Sequence, residues 1–148
     1  MIIENCEITK SNAEILIPYI GSTKSGDYKR YGFLHDGITL KATTIYSPIF
    51  TTVLRIEKDM KGSFSVVLKY EHHSVIRICN LDSCSVSNGQ LVPSAYSLGD
   101  ARYGKCRVEY ANEYKEDSKF ILHLDSKVYY KHDPTSILAI GFTNYRGH

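Results

Sequence analysis

Three sets of residues in this chain have the types and spacing to do chemistry. Glu109, Lys119 and His132 fall on three successive predicted strands. Together they offer a carboxylate base, a cation to hold a phosphate and a histidine acid, and Arg107 would share a face with Glu109. His72-His73 sits at a predicted hairpin tip with Lys69 and Arg77 close in sequence. Nearby cations favour the neutral imidazole that a general base needs. Adjacent strand residues point to opposite faces, so at most one of the pair enters a given site. The competing reading is two exposed turn histidines. The third set is Tyr28-Lys29-Arg30-Tyr31, which follows the small, polar loop Gly21–Gly26 with its Lys24. An aromatic face beside a cation suits a partner that carries rings and anionic groups, and Tyr and Arg are also the residues enriched at protein–protein hot spots.

Two further stretches repeat the tyrosine–basic pairing, Tyr129-Tyr130-Lys131-His132 and Tyr145-Arg146-Gly147-His148. On a strand, Tyr129 and Lys131 share one face and Tyr130 and His132 the other, so packing accounts for much of the first stretch. The second lies at the end of the chain. This leaves Tyr28, Lys29, Arg30, Tyr31 and Lys24 as the expected ligand-binding residues, with His72, His73 and Arg77 as secondary candidates.

The segment from Phe120 to Tyr130, followed by Lys131-His132-Asp133, loosely resembles the last hairpin of the small microbial ribonucleases. The resemblance covers about 30 residues and carries no specific motif. It implies a metal-independent ribonuclease activity with Glu109, Lys119 and His132 as the catalytic set. Solvated strand charges are the alternative reading of the same residues.

Other chemistries lack their residues. Lys24-Ser25 precedes Gly26 and no helix follows, which argues against a phosphate-binding P-loop. Cys6, Cys79, Cys84 and Cys106 have no finger-type spacing, and a zinc site from Cys84, His72 and His73 is the one arrangement left open. No Gly-x-Ser-x-Gly elbow or His-Glu-x-x-His pair occurs. The expectation is therefore no metal and no cofactor.

The elements that must position these residues are strands. Phe64, Val66, Leu68 and Tyr70 alternate with Ser65, Val67 and Lys69; Cys106, Val108 and Tyr110 alternate with Lys105, Arg107 and Glu109; Phe120, Leu122 and Leu124 repeat the pattern. Further strands are expected over 2–9, 14–17, 37–44, 51–57 and 75–79, and the apolar run Ile137–Phe142 reads as a central strand. Asp36-Gly37 and Asn88-Gly89 are strong turn signals, and Lys61-Gly62, Glu71 to Ser74, Asp117-Ser118 and Asp125-Ser126 are softer ones. Ser94 to Tyr103 has room for one or two helical turns. The fold class that follows is all-β or strongly β-rich: one domain over 1–148, an antiparallel sandwich or barrel of about eight to ten strands, with at most one or two short helices.

Composition narrows the setting. The chain has 148 residues, 43% of them hydrophobic and 23% charged, and a formal net charge of +2. That balance is too even to draw in nucleic acid or membrane by long-range attraction. No apolar run approaches the roughly 18 residues needed to cross a bilayer. Met1-Ile2-Ile3-Glu4-Asn5 lacks a basic region followed by an apolar one, so no secretory signal is expected, and the thiols suit a reducing cytoplasm of the producing or host cell. Abundant Lys, Ile, Asn, Ser and Tyr with no Trp point towards an AT-rich source such as a phage or mobile element. The reading that follows is a small soluble non-catalytic protein that modulates a host, binding a host protein or other macromolecule, a nucleic acid or an anionic ligand through the Tyr/Lys/Arg surface. The ribonuclease-like enzyme is the first alternative and a structural or assembly subunit the second. Homo-oligomerisation is a further expectation, since open sheet edges and exposed tyrosines call for cover.

Overall fold

Pleating sends successive side chains of a strand to opposite faces, and three strands at the centre of the molecule follow that rule. β6 (Phe64–Tyr70) turns Val66 and Leu68 to one face, β7 (Ser74–Leu81) turns Ile76 and Ile78 the same way, and β10 (Lys105–Asn112) adds Cys106 and Val108. All six are fully buried in the main core, with Ile8, Leu40, Ile45, Val53 and Leu98 around them. The opposite face is mixed. It carries Val67, Val75 and Ala111 at one end and Arg77, Cys79, Arg107 and Glu109 at the other.

A computed structural model describes residues 2–16, 37–115, 120–132 and 134–137. The remaining strands among them are β1 (Ile2–Cys6), β2 (Ser11–Ile15), β3 (Ile38–Lys41), β4 (Thr44–Tyr46), β5 (Thr51–Lys58), β8 (Leu91–Val92), β9 (Ser97–Asp100), β11 (Ile121–Leu124) and β12 (Lys127–His132). The main sheet runs β1-β2-β3-β10-β7-β6-β5-β8, every described pairing is antiparallel, and β4 pairs with β9 apart from it. The sheet curls into a half-barrel, so the all-β expectation holds. Among the described residues no helix is long and apolar enough to cross a membrane.

One edge of β10 is shared by two strands. Lys105 to Val108 pair with β3, and Tyr110 to Asn112 pair with β12. Glu109 falls at the changeover, opposite Arg77 on the other side. Past this junction the β11–β12 hairpin leaves the plane and folds across the second face. Leu122, Leu124 and Tyr129 pack there on Val67, Val75 and Ala111, a cluster separate from the main core. The hairpin turns through Asp125 and Ser126, whose φ values of 47° and 70° make the two-residue turn of type I′.

Two expected elements differ. Pro134–Ile137 forms a 3-10 turn, so Ile137 closes that turn and does not begin a strand; 138–142 lie outside the described residues. The helical turns expected between Ser94 and Tyr103 are replaced by β9. Gly99 reaches a φ of 153° there and would suit no helix, and Ile45 of β4 pairs with it.

Candidate functional site

Register brings the charged side chains of the second face into a transverse row. Arg55 of β5 opposes Val67, Val67 opposes Arg77, and Arg77 opposes Glu109. A chain of alternating charges follows this row. Asp125, at the hairpin tip, lies 2.9 Å from Arg55; Arg55 lies 3.9 Å from Glu57; Glu57 lies 3.4 Å from Arg77. Arg77 Nε donates to Glu109 Oε1, while Lys131 Nζ donates to Oε2 at 3.0 Å and Arg107 Nε approaches the same oxygen at 3.4 Å. The circuit starts and ends on the β11–β12 hairpin.

Glu109 is the pivot, with only 4% of its side chain exposed. Burial alone would push its carboxyl up, but the hydrogen bonds and charges of Arg77 and Lys131 outweigh burial and hold it below the ordinary carboxylate range. Burial likewise tends to lower Arg77, and Glu109 reverses that and raises it. Cys79 Sγ lies 3.8 Å from Glu109 Oε1, and burial, with Glu109 second, pushes its thiol up to about 11. Gly37 crosses close above: a Cβ there would come within 2.9 Å of both Glu109 Cγ and the Arg107 guanidinium. Beside the network an open cleft of about 330 Å³ is lined by Thr39, Ser65, Cys79, Lys105 and Arg107.

This arrangement holds groups still more than it performs chemistry. A carboxylate with both oxygens engaged and a depressed pKa is a weak base, and a thiol near 11 is a poor nucleophile. Among the described residues no group of three or more His, Cys, Asp and Glu is placed to hold a metal ion.

The expected catalytic set does not assemble. His132 pairs in register with Tyr110, so its ring lies on the face opposite Glu109. There His132 Nε2 lies 2.9 Å from Asn112 Oδ1 and 6.3 Å separates its ring from that of Tyr110. Two groups on opposite faces of one sheet cannot act on one phosphate, and Lys119 lies outside the described residues. His72 and His73 occupy the β6–β7 turn and both are exposed. His73 Nδ1 lies 3.0 Å from Glu113, which also takes Lys127 at 3.2 Å, so its charged neighbour is a carboxylate and not the expected cations. Arg77 belongs to the Glu109 network. Lys24, Tyr28, Lys29, Arg30 and Tyr31 lie outside the described residues.

Sequence reasoning missed the partners of the network, Arg55, Glu57, Asp125 and Lys131. Alternation did place Arg107 with Glu109 and Tyr129 with Lys131, but only register joins the two pairs.

No family model and no curated protein matches this chain. Solved structures do. A chain of the SpoIIQ–SpoIIIAH pore-forming complex is 13% identical, with 89% of this chain and 87% of that one covered and a TM-score of 0.55. CbpA from L. salivarius REN is 12% identical over 76% of each chain, at 0.53. The catalytic domain of the prophage-encoded M23 protein EnpA from Enterococcus faecalis is 15% identical over 68% of this chain and 81% of that one, at 0.50. The fold is shared with these chains. At such identities the likeness speaks for the fold alone.

It nonetheless corrects the functional expectation. A scaffold shared with the catalytic domain of an M23 protein and with a chain of a pore-forming complex replaces the small host-modulating binder with a Tyr/Lys/Arg surface. The ribonuclease alternative falls with it, on the parity of Glu109 and His132. Nothing in the likenesses supports a viral origin, or a host protein or nucleic acid as partner.

Proposed function

We propose that this chain is a degenerate peptidase-fold domain that works by associating with another protein. Two lines support the reading. The fold is shared with the catalytic domain of an M23 protein and with a chain of the SpoIIQ–SpoIIIAH complex, whose name records a protein–protein assembly. The observation that carries it is the state of Glu109: the buried carboxylate of the second face is held by Arg77, Lys131 and Arg107. A carboxylate acts as base or nucleophile through an unengaged oxygen and a thiol through its thiolate; on the described part of this face Glu109 has both oxygens engaged and the Cys79 thiol is pushed up to about 11.

The test pairs two measurements on the intact chain. Incubation with a library of peptides and with purified cell-wall material, with and without added zinc, should give no cleavage products by mass spectrometry. Site-specific crosslinkers at the exposed Leu91 and Ile121 in the producing cell should capture one recurrent protein. Reproducible peptide cleavage would overturn the reading, as would crosslinking that never exceeds that of a scrambled-position control.

A further inference from the structure

The β11–β12 hairpin is joined to the sheet in three different ways, and the three differ in strength. At its base it shares three register pairs with β10, from Tyr110↔His132 to Asn112↔Tyr130, together with the buried Lys131–Glu109 pair. In the middle, Leu122, Leu124 and Tyr129 cover Val67, Val75 and Ala111. Towards the tip the described side-chain contacts are two exposed ion pairs: Asp125 on Arg55, 72% and 42% exposed, and Lys127, just past the turn, on Glu113, 64% and 28% exposed.

We propose that the hairpin is an electrostatically latched strap, which lifts from the second face tip-first and pivots on its three pairs with β10. The physical grounds are the gradient of burial along it. An exposed ion pair is screened once the Debye length falls to about 3 Å in 1 M salt, whereas a buried pair is screened much less. The apolar cluster beneath the strap is disjoint from the main core, so the strap can open without unfolding β6, β7 and β10. Opening uncovers Val67 and Val75, and Arg77 remains bound to Glu109. Two of the hairpin's three described charged contacts, those of Asp125 and Lys131, belong to one circuit through Arg55, Glu57, Arg77 and Glu109, which ties the latch at the tip to the pivot at the base; the third, Lys127 on Glu113, stands outside it.

Hydrogen exchange followed by mass spectrometry on the intact chain tests this. Asp125→Asn, or 1 M sodium chloride, should speed exchange of the amides in 121–129 by about 1.4- to 5-fold, the factor that corresponds to an exposed ion pair. Amides of β6, β7 and β10 should keep their rates. The charge swap Arg55→Asp with Asp125→Arg should restore protection that Arg55→Asp alone removes. The proposal is overturned if hairpin exchange is unchanged in Asp125→Asn, if hairpin and central strands accelerate by the same factor, or if the swap restores nothing.

Discussion

Lys131 stands in register with Ala111, yet its ammonium lies 3.0 Å from the carboxylate of Glu109, two residues back along β10. The pair is a diagonal contact across antiparallel strands on one face, with 8% and 4% of the two side chains exposed. Lys131 arrives from a hairpin and Arg77 from the opposite neighbour strand, so one carboxylate joins three strands.

Removing that carboxylate takes the shared anion from Arg77, Arg107 and the buried Lys131, although Glu57 still reaches Arg77. Glu109→Gln should cost on the order of 3–5 kcal/mol in urea denaturation, the range for breaking a buried pair from one side. Lys131→Met should cost less, because Arg77 and Arg107 still hold Glu109 and the methionine keeps the apolar stem. An equal loss in the two variants would show that the carboxylate is not the hub.

The same network sets an acid limit. The folded pKa of Glu109 lies below its ordinary value of 4.5. A carboxyl depressed on folding adds stability above its unfolded pKa, and that stability is lost as pH falls through the folded value. Stability should therefore begin to decline near pH 4.5 and keep falling below it. Denaturant midpoints measured against pH should show a shallower acid decline in Glu109→Gln than in the wild type. Glu113, depressed by Lys127 and then His73, adds a second and solvent-exposed contribution that both proteins share.

Alternation in 64–70 and 105–110 announces the centre of the sheet because those strands have one face in the core and one outside it. The soft turn signal at Asp125-Ser126 also marks a real hairpin. What alternation cannot state is register, and the network is made of register: Arg77 meets Glu109 because β7 pairs with β10 at that offset. Register also separates Glu109 from His132, which look like neighbours when strands are merely counted. Ile137 misled because an apolar residue after Pro134 serves a 3-10 turn that packs on the core as well as it would serve a strand.

Gly99 sits where the backbone of β9 passes the segment that follows β7. A Cβ at that position would lie 2.0 Å from the Ser83 carbonyl oxygen, and φ is 153°. The three nearest atoms, two of Ser83 and one of Cys84, are all backbone, so no side chain can swing aside. Gly99→Ala should destabilise the protein by about 3 kcal/mol or more, at the upper end of overpacking costs. Gly37→Ala should fall lower, about 1–3 kcal/mol, because the atoms it meets, the Arg107 guanidinium and Glu109 Cγ at 2.9 Å, belong to side chains and not to backbone. Thermal midpoints of the two variants give the order.

Thiol chemistry follows burial. Burial pushes Cys106 up to about 12, and burial with Glu109 pushes Cys79 up to about 11. Reaction requires the thiolate, so at pH 8 the native protein should leave both unlabelled by iodoacetamide over a time in which the urea-unfolded chain labels fully. Peptide mass spectrometry reads each cysteine separately. Rapid native labelling of Cys79 would mean that its packing against Ser65 and Glu109 opens on that timescale. The control is Glu109→Gln at a urea concentration that leaves it folded, where loss of the neighbouring carboxylate lowers the Cys79 pKa and labelling should quicken at Cys79 while Cys106 stays protected.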